Sequence, residues 1–301
     1  MIGSKFMTHI PKFRRYLEII TAAIVILAII NVVDDWPGAF RQILTIPVKY
    51  LLISILSLLL SGICSMISWK SVFPRTAVLN REWSHCFYMG QLGKYAPGAV
   101  WIVIIQARMA KDLKIKYKTL AGGFLAAFAI SILCASFIAM PTAGYYLGRT
   151  FGTIFSVSAL LGCSAVVPLF RYSRMMTKLE LDFCQIDVLY SVLWSLAGWC
   201  FAGFHLSALL TSFGVSPVYS LFWGPSILAA AVSLGSLMVI TPGGLGVREL
   251  IMLSSLVMFV SSSSAASILV VSRLSYLLTD FLLAGFTSSK VVCFRKESNS
   301  V

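Results

Sequence analysis

The chain has 301 residues, of which 58% are hydrophobic and 12% charged, and its mean hydropathy is +0.89. Soluble domains carry about twice that share of charge, so a water-soluble globular fold is excluded and a polytopic, all-α membrane bundle is expected. A net charge of +13 suggests nucleic acid only when basic residues line one soluble face. Here they lie between apolar runs, where cytoplasmic loops and anionic lipid account for them.

Residues 1–16 form a tail carrying Lys5, Lys12, Arg14 and Arg15, and an apolar span follows at 17–33. The stretch Asn31 to Pro37 offers no small-residue cleavage site, so a retained span is expected rather than a signal peptide. A crossing helix needs about 20 apolar residues. Further spans are read at 46–69, 119–140, 145–170, 188–212, 221–240, 245–262 and 265–289, about eight in all, with a basic tail at 290–301. No polar block is long enough to fold separately, so 1–301 is one membrane domain.

Charge placement orients the spans, because Lys and Arg gather on the cytoplasmic side. With the N-terminus inside, the first outer loop holds Asp34 and Asp35 against Arg41, and the inner loop that follows carries Lys111, Lys114, Lys116 and Lys118. Arg171, Arg174 and Lys178 then fall inside, 211–220 falls outside without charge, and Lys290, Arg295 and Lys296 return inside. Eight spans with both termini cytoplasmic, in the cell's inner membrane, satisfy this alternation. Seven would put the basic tail outside.

Two Pro-Gly breaks interrupt the apolar pattern, Lys94-Tyr95-Ala96-Pro97-Gly98-Ala99-Val100-Trp101 and Thr241-Pro242-Gly243-Gly244-Leu245-Gly246-Val247-Arg248-Glu249. The run 95–107 is too short to cross and has the length of a re-entrant element, flanked by Lys94 and Arg108. The segment Arg81 to Leu92 before it has an interfacial character. Broken helices at membrane depth persist where protein or a water-filled cavity receives the freed backbone groups, and paired interruptions in two halves point to a transporter site. Charge topology puts both breaks near the cytoplasmic face.

At the second break Thr241 suits an N-cap and Pro242 the first helical position. The first turn then presents free N–H groups to an anion such as phosphate, Arg248 lies about one turn on, and Glu249 can pair with it or hold a cationic group. The competing reading is a Pro/Gly turn at the membrane surface with Arg248 and Glu249 in water; three glycines in four positions argue against it. At the first break Lys94 precedes a helix start, and Tyr95 and Trp101 read equally as an aromatic wall or as interfacial anchors. Arg273 and Asp280 lie seven residues apart within the last span, on nearly one helix face. They line the pathway, or they form internal ion pairs with other helices. His205, alone in its span, reads as a hydrogen-bonded packing residue.

His9 and His85 show no metal spacing, and the seven cysteines have no Cys-x-x-Cys pair, so neither a metal, a cofactor nor a disulfide framework is expected. Hydrolase, metalloprotease and P-loop motifs are absent from the sequence. A membrane transferase acting on a polyprenyl phosphate would need a cavity-facing carboxylate, for which Glu249 and Asp187 are the available bases.

Lys94, Tyr95, Pro97, Gly98, Trp101 and the following Arg108, together with Pro242 to Glu249, resemble the motifs of the lysylphosphatidylglycerol synthase transmembrane family, a flippase-like membrane domain. The likeness spans about Ile43 to Lys290. It implies a protein that moves a phospholipid or lipid-linked saccharide across the membrane, with Lys94, Arg108 and Arg248 holding a phosphate head group. The lysyl-transferring domain of larger members has no counterpart in residues 1–301, so translocation rather than lipid synthesis is implied. Some members accompany glycosyltransferases, which makes a non-transporting partner of a polysaccharide assembly system the alternative.

Overall fold

A computed structural model describes residues 33, 35–73, 80–95, 101–112, 115–148, 185–237 and 246–298. Among them are ten α-helices and one 3₁₀ turn, with no strand. The helices are α1 (Trp36–Ile43), α2 (Val48–Ser71), α3 (Asn80–Leu92), α4 (Trp101–Asp112), α5 (Tyr117–Ile138), α6 (Met140–Leu147), α7 (Gln185–Ser212), α8 (Pro217–Leu237), α9 (Val247–Leu256) and α10 (Ser262–Ser298); the 3₁₀ turn is Gly93–Tyr95. Among the described residues five stretches are long and apolar enough to cross a membrane: Val48–Ser71, Tyr117–Ile138, Ile186–Ser212, Pro217–Ser236 and Ser262–Ser288.

The packing of α2 shows which solvent the fold is built for. Ser54, Ser57, Ser61 and Ser68 are buried, while Leu52, Ile53, Leu56 and Ile63 are exposed. Where the surroundings are as apolar as leucine, there is no gain in hiding leucine. Small residues go inward because they let backbones approach and hydrogen-bond. Ser61 Oγ donates to Gly198 O of α7 at 2.8 Å, Ser68 Oγ donates to Ser191 O at 2.8 Å, and Ser191 Oγ returns a bond to Ser68 O at 3.0 Å. The α2–α7 contact is the most extensive between any two of the described elements.

From this pair the bundle spreads outward. A turn at Gly214, whose φ of 88° favours glycine, leads from α7 back into α8. The two helices close on Gly203, where an added Cβ would lie 2.3 Å from Pro225 Cα. α10 crosses α1, α2 and α3, and α9 wedges between α8 and α10.

The spans read at 46–69, 119–140, 188–212, 221–240 and 265–289 each coincide with one of these long helices. The span at 17–33 lies outside the described residues except Val33, as does all of 145–170 beyond residue 148. The span expected at 245–262 is not a continuous helix. α9 is 10 residues, about 15 Å long, half of a hydrocarbon core of about 30 Å. The chain turns at Val257 to Val260, and the Ser264 N–H donates to Ser261 Oγ at 3.3 Å to open α10.

The connection after residue 33 holds a helix that hydropathy does not announce. The Gly38 N–H donates to Asp35 Oδ1 at 2.8 Å, which caps α1. Ser267 Oγ of α10 donates to Ala39 O at 2.8 Å and fastens it to the bundle. The segment from Arg81 to Leu92, read as interfacial, is helical and well packed. As part of α3 it buries Trp83, Cys86, Phe87 and Tyr88 and packs on α10 and α4.

Candidate functional site

Two glycines bring the ends of broken elements to one place. At Gly93 the chain doubles back so closely that an added Cβ would lie 2.7 Å from the Ile102 backbone nitrogen. Lys94 and Tyr95 therefore project from a tight 3₁₀ turn rather than from a helix side. At the second break α9 begins at Val247, with Gly246 before it at a φ of 91°. Arg248 is thus the second residue of a helix rather than one turn inside one. An added Cβ at Gly235 of α8 would lie 3.0 Å from Arg248 Cβ, so glycine there lets the arginine stem lie against α8.

Both ends meet α10. Lys94 Nζ lies 2.6 Å from Asp280 Oδ2, and the Tyr95 hydroxyl donates to the same oxygen at 2.5 Å. Arg273 forms an ion pair with Glu249. The second Glu249 oxygen accepts the Gly246 N–H at 2.6 Å. Arg273 and Asp280 are therefore internal ion-pair members, and the partner of each comes from one of the two Pro-Gly breaks. They sit about 16 and about 27 Å along α10 from Ser262, inside its apolar stretch.

Tyr276 lies between these anchors. The Arg248 guanidinium carbon is 5.1 Å from its ring centre, Lys94 Nζ is 5.8 Å away, and the His205 ring meets it edge-on at 5.5 Å. Cations stacked on an aromatic face are held without losing their charge. Behind Tyr276, His205 Nδ1 shares a hydrogen bond of 2.6 Å with Ser54 Oγ and its Nε2 one of 2.9 Å with Ser272 Oγ. The histidine is fully satisfied between α2 and α10, in keeping with a packing role.

The electrostatics of the group are unequal. Burial, and then the Asp280 carboxylate, raises the Tyr95 phenol above its ordinary range, so it stays protonated as a donor. Burial also lowers the Lys94 ammonium, against the opposing pull of Asp280. Two carboxylates answer Lys94 and Arg273. Among the described residues no carboxylate lies within ion-pair distance of Arg248, and its buried Nε has no hydrogen-bond partner.

The other expected site residues lie apart from this group or outside the described residues. Pro97, Gly98, Thr241, Pro242, Gly243 and Gly244 are outside them. Trp101 opens α4 and is exposed. Arg108 lines a separate groove of about 220 Å³ with Ile104, Ala107, Ile115 and Tyr117. The structure thus brings Lys94, Tyr95, Arg248, Glu249, Arg273 and Asp280 together and leaves Arg108 elsewhere. Tyr276 was not among the expected residues, because a tyrosine inside an apolar span reads as packing. Its position three after Arg273 and four before Asp280 is the signal that places it on their face.

No protein-family model and no curated protein matches the chain. The fold and this group define a helical membrane protein, with five long apolar helices among the described residues and a charged cluster set against the last of them. Among the described residues no three His, Cys, Asp or Glu side chains group as a metal site.

Proposed function

We propose that the protein is a flippase-like translocator that binds the anionic head group of a phospholipid or lipid-linked saccharide at the cluster around Tyr276. The observation that carries this reading is Arg248. It is a cation set among apolar helices, stacked on a tyrosine and lacking a carboxylate of its own, with its Nε unsatisfied. A buried charge without a partner is costly, and intramembrane ionisable groups mark substrate pathways. The guanidinium is hydrogen-bonded to Tyr276, and a phosphate supplies the counter-charge it lacks and an acceptor for its unsatisfied Nε.

The chain is read as eight membrane segments with both termini cytoplasmic, the seventh being broken, on the alternation of basic loops. The likeness of its Pro-Gly motifs to the lysylphosphatidylglycerol synthase transmembrane family supports the same reading. The test is head-group translocation in vesicles reconstituted with the purified protein. Arg248→Ala and Lys94→Ala are expected to abolish lipid movement while leaving the protein inserted. Unchanged movement in both variants would refute the mechanism.

A further inference from the structure

The ratio of charges in this cluster specifies more than an anion. Lys94 is matched by Asp280, and Arg273 by Glu249. Whichever member of a pair holds the shared proton, that pair sums to zero. Arg248 stacks on and hydrogen-bonds the uncharged Tyr276, so among the described residues three cations against two carboxylates leave one positive charge. The exposures show how a ligand meets it. The side chains of Lys94 and Arg273 are each 32% accessible, and those of Asp280 and Glu249 only 13% and 14%. An incoming anion meets cations first, with the carboxylates held behind them.

We infer that the head group taken here is a monovalent phosphodiester rather than a phosphomonoester or a diphosphate, an inference that rests on the lipid-binding reading above. One negative charge beside Arg248 brings the cluster to neutrality. A second would stay uncompensated among apolar helices, where an unpaired charge is strongly disfavoured. The shape agrees with the count. A phosphodiester shares its single charge over two free oxygens, which the planar guanidinium engages through two N–H groups side by side. Its two ester arms then leave in different directions, one toward lipid and one toward water. The same chemistry occurs in a glycerophospholipid and in a polyprenyl-monophosphate sugar.

The experiment measures lipid dissociation constants for the full chain in neutral detergent by native mass spectrometry, at about pH 8. That lies above the second phosphomonoester pKa of about 6, so phosphatidic acid is then divalent. Phosphatidylglycerol and a polyprenyl-monophosphate sugar are expected to bind about tenfold more tightly than phosphatidic acid and polyprenyl diphosphate. The tighter of the two phosphodiesters names the source.

Asp280→Asn leaves Lys94 unmatched and raises the surplus to two, so the ranking is expected to reverse in favour of phosphatidic acid. Equal or tighter binding of the divalent lipids by the unaltered protein, with Arg248→Gln still weakening them, overturns the monovalent assignment and spares the lipid-binding reading. Binding of every lipid indifferent to Arg248→Gln overturns both. If Asp280→Asn does not remain monodisperse, the ranking in the unaltered protein decides alone.

Discussion

Along the seam between α2 and α7 several buried hydroxyls have near partners. Ser61 reaches Gly198 O, Ser68 and Ser191 exchange bonds, and Ser54 is held by His205. Around Tyr276 the polar groups are larger and charged, and the matching stops one short, at Arg248. Both regions are polar islands among apolar helices. Complete matching is what two helices need to stay together where water cannot repair a lost bond. Trp69 Nε1 and the Gln106 amide are also unpartnered, but at Arg248 the unmatched group is a charge, whose cost is larger and whose natural complement is an anion.

That contrast can be broken in several places, and the largest effect belongs to close helix packing, at the α7–α8 contact. Gly203→Leu would force a side chain into the Pro225 backbone and should cost about 3 kcal/mol, seen as a lower thermal unfolding temperature in detergent. Next come the ion pairs. Lys94→Met or Asp280→Leu alone should each cost about 2 kcal/mol, since either change strands the other charge, while the double variant recovers most of that loss. A thermodynamic cycle on the four proteins checks the coupling. A coupling near zero would mean that the pair holds nothing.

Smaller effects separate the two regions most sharply. Arg248→Gln should weaken anionic lipid binding about tenfold while the unfolding temperature stays unchanged or rises, because a charge lacking a carboxylate has been removed. A large fall in stability without a change in binding would place Arg248 with the structural residues. His205→Ala should do the reverse, costing about 1 kcal/mol for two intramembrane hydrogen bonds and leaving the order of lipid affinities intact. Arg108→Ala, in the separate groove, should change affinity at the cluster by less than about twofold, within the range of surface substitutions.

The long helices were legible because length and hydropathy decide them. Helix α8 starts at Pro217, four residues before the expected 221, because proline suits a first turn whatever its hydropathy. The expected span at 245–262 runs past the end of α9 because Leu250 to Val260 is apolar but for Ser254 and Ser255, whereas the break depends on the Ser261 cap that opens the next helix. α1 carried a readable start, Asp35 followed by proline at Pro37, in a stretch treated as a loop for its charges.

At the site, the sequence exposed the odd residues but not their partners. Tyr95 and Asp280 are 185 positions apart, and nothing local says that a turn after α3 will reach the last helix. The positions of Gly93 and Gly235, where backbone or a neighbouring stem comes too near for a side chain, are tertiary facts. Arg108 shares its motif with Lys94 in sequence and lies elsewhere in space for the same reason.

Helix α10 runs unbroken from Ser262 to Ser298, and its two ion pairs are fixed about 10 Å apart along its axis. That makes it a rigid rod carrying two pins, one engaging the turn at Lys94 and the other the start of α9. Motion of either broken element along the membrane normal is geared to the other for as long as both pins hold. Slippage between them requires one pin to disengage.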